Sequence, residues 1–155
     1  YAIGSAPIVG YNYGAANHKE LKNILRKSLI TIGVTGIVLT TAAELLAAPM
    51  STLFVGYDRE LFELTKNGFR LYSFCFLING FNIFGSSFFT ALNNGAVSAA
   101  ISFMRTLVFQ IIVISIMPAL FGINGIWISV TAAELLSLAV TLIFLITNRK
   151  KYNYA

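Results

Sequence analysis

The chain has 155 residues, 57% of them hydrophobic and 11% charged, with a formal net charge of +5. A soluble domain carries roughly a quarter charged residues, and a chain this apolar would coat one with patches that ordinary monomers avoid. The positive charges lie between and after apolar runs, not among aromatic stacking platforms, so they read as topology determinants and set nucleic acid aside as a partner.

A bilayer core of about 30 Å needs roughly 20 apolar residues in a helix. Residues 1–16 are apolar and rich in small residues, with no initiator Met and no signal peptide. They read as the end of a truncated transmembrane helix. Gly10 and Gly14 have the GxxxG spacing that lets membrane helices approach closely. Residues 17–27, NHKELKNILRK, read as a basic, amphipathic connecting loop at the membrane surface.

Four transmembrane helices are expected within residues 28–147. From Ser28 to Tyr57 the only charge is Glu44, and the first span is placed at about 28–55. The acidic-basic stretch GYDRELFELTKNGFR separates it from a second span at about 66–92. The turn Asn93-Asn94-Gly95 ends that span. A third runs from about 96 to 120, and Gly122-Ile123-Asn124-Gly125 is the next turn signal. The fourth runs from about 126 to 147. Residues 148–155 form a basic tail.

Positive charge orients the bundle. With the first loop in the cytoplasm, Lys19, Lys22, Arg26, Lys27 and the Arg149–Lys151 tail all fall on that side. Arg59, Lys66 and Arg70 fall outside, where acidic neighbours cancel them. This predicts a multi-pass protein of the cytoplasmic membrane with a cytoplasmic C-terminus.

Ionisable groups at membrane depth are costly, about 2.5–3.5 kcal/mol on insertion scales, and are functional candidates by default. Glu44 lies near the middle of the first span. A carboxylate that takes up a proton there suits proton coupling, and one with oxygen neighbours suits Na⁺; the plain alternative is a paired group that packs two helices. Glu134, in the fourth span, is the second candidate, with pairing to Arg105 as its structural alternative. Arg105 reads as a snorkelling anchor or a structural ion pair. Asn79 and Asn82 share a helix face and read as cavity lining or helix glue. The aromatic run Phe74, Phe76, Phe81, Phe84, Phe88 and Phe89 is read mainly as lipid contact.

His18 is the only histidine and has no neighbouring partner, so no metal site is expected. The single Cys75 cannot form an internal disulfide. No Ser-His-Asp grouping, phosphate loop or catalytic carboxylate pair can be drawn. Neither an enzyme nor a bound cofactor is expected.

Several segments resemble the MATE family of multidrug exporters, in order along nearly the whole chain. APIVGYNYGAAN is similar to the run that ends a helix before a basic cytoplasmic loop. AAPMSTLFVGYDRELFELTKNGFRLYS, GFNIFGSSFFTALNNG, SFMRTLVFQ and ALFGINGIWISVTAAELLS look like the helices and turns that follow. The resemblance implies an all-α polytopic bundle that is part of the C-terminal lobe of a twelve-helix transporter. Its partners are then the lipid bilayer and the missing N-terminal lobe of the same polypeptide. It implies antiport of organic cations or other xenobiotics against H⁺ or Na⁺ by alternating access. Some family members carry an acid in the span matching Tyr72–Leu92, where this chain has Asn79 and Asn82. A lipid-linked sugar flippase of the same superfamily and a non-transporting membrane scaffold are the alternatives.

Overall fold

A computed structural model describes residues 1–154, and the described residues are helical with short turns. The order is α1 (Ala2–Gly14), α2 (His18–Val55), α3 (Arg59–Ser73), α4 (Phe76–Ala91), α5 (Gly95–Phe103), a π-helical segment (Met104–Phe109), α6 (Gln110–Phe121) and α7 (Ile123–Tyr152). Three continuous stretches are long and apolar enough to cross a bilayer: His18–Val55, Gly95–Phe121 and Ile123–Tyr152. The pair α3 and α4, bent by 42°, makes a fourth crossing if taken together. The molecule is a polytopic transmembrane helical bundle.

Burial is reversed relative to a soluble bundle. The inward face of α2 is Ser28, Ile32, Gly36, Thr40, Ala43, Ala47 and Ser51, a helical repeat of mostly small or hydroxyl residues. Ile37, Leu45, Ile111 and Ile143 stand outward and exposed. Lipid tails are as apolar as leucine, so helices associate through close packing of small residues, and bulky side chains go to the lipid. Gly36 shows why: a Cβ there would lie 2.9 Å from the Phe76 carbonyl oxygen of α4. Gly125 has the same role against the Met117 carbonyl of α6. The GxxxG pair does not: a Cβ on Gly10 would sit 3.4 Å from the Ala91 carbonyl, and one on Gly14 would meet nothing.

Local chemistry sets the boundaries. Asn17 caps α2 by accepting from the Glu20 amide at 3.2 Å, so residues 18–27 are the first turns of α2, not a loop. Asp58 caps α3 through the Glu60 and Leu61 amides at 2.9 and 3.1 Å, which starts that helix at Arg59 rather than near 66. Asn93, at φ 60, closes α4, and Asn94 caps α5 through the Val97 amide. Likewise α7 continues to Tyr152, through most of the expected tail.

The second span is broken at Phe74–Cys75. There the amides of Cys75, Leu77 and Ile78 bond to carbonyls three residues back, before the four-residue ladder resumes at Asn79. Such a switch tightens and bends a helix. Thr40 of α2 donates to the Ser73 carbonyl at 3.4 Å, satisfying backbone that the break exposes.

Candidate functional site

The ionisable groups at membrane depth fall in two clusters. The larger one joins three elements. Arg105, on the π-helical segment, donates through Nε to both carboxylate oxygens of Glu134 on α7, at 2.9 and 3.0 Å. Its Nη2 donates to the side-chain oxygen of Asn79 on α4. Asn82, one turn further along α4, donates to the Glu134 carboxylate at 2.7 Å and to the Glu134 backbone carbonyl at 2.9 Å. Thr141 closes the network by donating to the Asn82 side-chain oxygen at 3.1 Å.

Asn82 is fully buried, Glu134 is 7% exposed and Thr141 1%. A guanidinium stays charged in any protein environment, so the carboxylate is what neutralises it. Buried ion pairs persist only where remaining lone pairs and protons find partners, and the two asparagines supply them. Two further hydroxyls, Thr131 and Ser137, flank Glu134 at three residues either side on α7. Both are buried and without a partner. Spare hard oxygen therefore lies along α7 beside the carboxylate.

The position of Arg105 depends on the π turn. A π-helical segment inserts an extra residue per turn and is frequent at functional sites. Its presence was not readable from the spacing in MRTLVF.

Asn79 has a second neighbour. It lines a cavity of about 290 Å³ between α1, α2 and α4, with Thr31, Thr35, Phe76, Phe84 and Tyr1. The Asn79 oxygen faces Arg105, so its amide donors are left for the cavity side. Asn82, Glu44 and Glu134 do not line this space.

Glu44 belongs to the smaller cluster, at the α3–α4 break. It accepts from the Ser73 hydroxyl at 2.8 Å, and Arg70 Nε stands 3.5 Å from its other oxygen. The sequence places Arg70 among the charges of the outer loop. It is instead on α3 and faces α2, 26 positions from Glu44, a separation that no local pattern reveals.

A chain of hydroxyls links α4 and α5. Ser86 bonds Ser98 and Ser102 at 2.9 and 2.8 Å, and Thr90 bonds Ser98 at 2.7 Å. The aromatic run also divides. Phe84, Phe88 and Phe89 are at most 1% exposed in the core beside Val9, Leu21 and Ile101, whereas Phe74 is exposed. The expectation of lipid contact fails for the first three because the end of α4 is enclosed by α1, α5 and α7.

The MatE family model matches residues 1–116. The chain belongs to the MatE family. Among curated relatives, the multidrug export protein MepA of Staphylococcus aureus strain MSSA476 is 28% identical over 141 residues. That match takes in 90% of this chain and 31% of the relative. MepA of the bovine strain RF122 / ET3-1 is 27% identical over the same length. The MatE fold is also seen in solved structures. The MATE transporter VcmN of Vibrio cholerae in its bent form aligns with a TM-score of 0.88 at 15% identity, over 98% of this chain and 34% of that one. An inward-facing multidrug resistance MATE family transporter of the MOP superfamily aligns with a TM-score of 0.89 at 17% identity, over 97% and 35%. This MatE chain therefore spans about a third of the length of its relatives.

Proposed function

We propose that this chain is the greater part of the C-terminal lobe of a cation-coupled antiporter. The whole transporter exports organic cations or other xenobiotics across the cytoplasmic membrane in exchange for H⁺ or Na⁺. No bond of the substrate is made or broken. The other lobe belongs to the same polypeptide, and the basic ends of α2 and α7 face the cytoplasm. MepA, named as a multidrug export protein, supports the reading.

The observation that carries it is the Arg105–Glu134 pair, held by Asn79 and Asn82 across three helices. A proton or Na⁺ reaching Glu134 neutralises the carboxylate and takes away the partner of Arg105. The guanidinium then lets go of Glu134, and its bond to Asn79, which ties the π segment to α4, is released with it. Asn82 still holds α4 to α7 through the Glu134 backbone carbonyl and Thr141. One helix contact within the lobe opens while its neighbour stays. For Na⁺, the Thr131 and Ser137 hydroxyls supply hard oxygen donors beside the carboxylate.

Glu44 has a supporting part in this scheme. Its contacts with Ser73 and Arg70 hold α2 against α3 just before the break.

The test is Glu134→Gln in inverted membrane vesicles, with a cationic dye as substrate and an imposed H⁺ or Na⁺ gradient. The expected result is loss of gradient-driven transport with dye binding retained. Transport at the wild-type rate overturns the assignment. The flippase alternative is weaker because lipid-phosphate cargo calls for free cationic side chains lining the cavity, where no Lys or Arg stands, and Arg105 is already paired with Glu134. Binding of a lipid pyrophosphate and not of the dye reverses that ranking. A scaffold would close every candidate into helix contacts, whereas Asn79 borders a cavity.

A further inference from the structure

One end of the bundle gathers basic residues from two distant segments. Lys19, Lys22, Arg26 and Lys27 lie on the first turns of α2, and Arg149, Lys150 and Lys151 on the last turn of α7. All seven are exposed. Among the described residues the ion pairs involve only Lys66, Arg70 and Arg105, so none of the seven has a carboxylate partner. The one acid nearby, Glu20, is bonded to Asn23 at 3.2 Å.

The fold holds these segments together. Asn153, at φ 54, turns the chain back after α7. Tyr154 is then buried against Phe88, with ring centroids 5.1 Å apart, and its hydroxyl donates to the Leu145 carbonyl at 2.8 Å. Tyr152 packs edge-on to Tyr13 of α1. Tyr152 and Tyr154 share one buried cluster with Leu21 and Leu25 of α2. Ordered in this way, the basic side chains repel one another, and helix-dipole attraction at the α7 C-terminus relieves only the last turn.

Beside them runs an apolar groove between α1 and α2, of about 350 Å³, lined by Tyr1, Gly4, Ser5, Ile8 and Ile24, with Lys27 as its only charge. An apolar channel ending at a lysine, next to a rim of unpaired cations, matches one ligand chemistry: an acyl chain carrying an anionic headgroup.

We infer that this end of the bundle is a binding surface for anionic phospholipid. An acyl chain lies in the α1–α2 groove, and the headgroup phosphate sits on Lys27 and the neighbouring basic side chains. The tyrosine-pinned tail keeps Arg149–Lys151 in the same headgroup layer. Each Lys or Arg at an anionic surface strengthens attraction about fivefold.

The test uses the purified protein in neutral detergent, with dioleoyl phosphatidylglycerol or dioleoyl phosphatidylcholine added. Thermal unfolding and lipid retention in native mass spectra are read. Phosphatidylglycerol is expected to raise the unfolding temperature and stay bound where phosphatidylcholine does neither. Replacing Arg149, Lys150 and Lys151 by Gln is expected to weaken phosphatidylglycerol binding on the order of a hundredfold. These side chains are exposed, so folding is retained. Lys19→Gln with Lys22→Gln weakens it in the same direction, and Arg59→Gln, at the start of α3, leaves it unchanged. Equal effects of the two lipids overturn the inference, as does an equal loss in Arg59→Gln. So does reproduction of the stabilisation by inorganic pyrophosphate, which assigns the charges to a soluble anion.

Discussion

Arg105 and Glu134 are 29 positions apart and meet with Nε 2.9 Å from the carboxylate, between a π-helical turn and the last helix. Either one alone is costly at this depth. Removing one partner of a buried pair costs about 3–5 kcal/mol, whereas replacing both by apolar residues is often neutral. Arg105→Met and Glu134→Leu singly are therefore expected to destabilise the protein strongly. The double variant recovers most of the loss, as measured by thermal unfolding in detergent. Additive losses would show that the two side chains do not act as a pair.

Asn82 and Asn79 look alike in the sequence but differ in depth. Asn82→Ala strips bonds from Glu134 and Thr141 in a site with no exposure, and a destabilisation of about 1–3 kcal/mol is expected. Asn79 borders the cavity, where water replaces a lost bond, so Asn79→Ala costs less in stability and more in transport. Denaturation curves and dye efflux of the two variants, side by side, check the contrast.

Gly36 and Gly10 make a second contrast. A methyl group at Gly36 collides with the backbone of α4 at Phe76, and overpacking of this kind costs about 1–3 kcal/mol. Gly36→Ala is expected to lower the unfolding temperature. Gly10→Ala, whose added carbon only touches the Ala91 carbonyl at 3.4 Å, leaves it nearly unchanged.

Burial, and then the neighbouring Tyr152, push the Tyr154 hydroxyl up to about 12 from the ordinary 10. The native state thus favours the neutral phenol. Its contribution is whole below pH 10 and is lost as pH rises from about 10 to about 12. Tyr154→Phe keeps the packing on Phe88 and loses the bond to Leu145. It is expected to cost about 1 kcal/mol and to flatten that alkaline loss in stability measured against pH.

The helical membrane architecture was legible because it follows from the spacing of charges. Long runs with one charge or none can be satisfied only by spanning helices. The turns at Asn93-Asn94-Gly95 and at Gly122 were legible for the same kind of local reason, a residue that accepts positive φ. Glu44, Glu134 and Arg105 stood out because ionisable groups are rare at depth. Their partners did not stand out. Arg70 reaches Glu44 only because α3 begins at Arg59, capped by Asp58, and lies along α2, and Thr141 reaches Asn82 across 59 positions. The break at Phe74–Cys75 and the π turn at Met104–Phe109 carry no Pro or Gly to announce them. At the break, Thr40 of α2 satisfies the Ser73 carbonyl, a contact from a distant segment that no local pattern signals.

In the proposed mechanism Glu134 is where the coupling cation meets this lobe. The number of cations the purified protein takes up, and gives up when a substrate binds, is read from the pH change of a weakly buffered solution for H⁺ and from radiolabelled sodium for Na⁺. Wild type is compared with Glu134→Gln. The variant is expected to lose cation uptake, and a transport substrate is expected to displace no ion from it. Uptake and displacement equal to wild type would contradict that mechanism and leave Arg105–Glu134 as a structural pair alone.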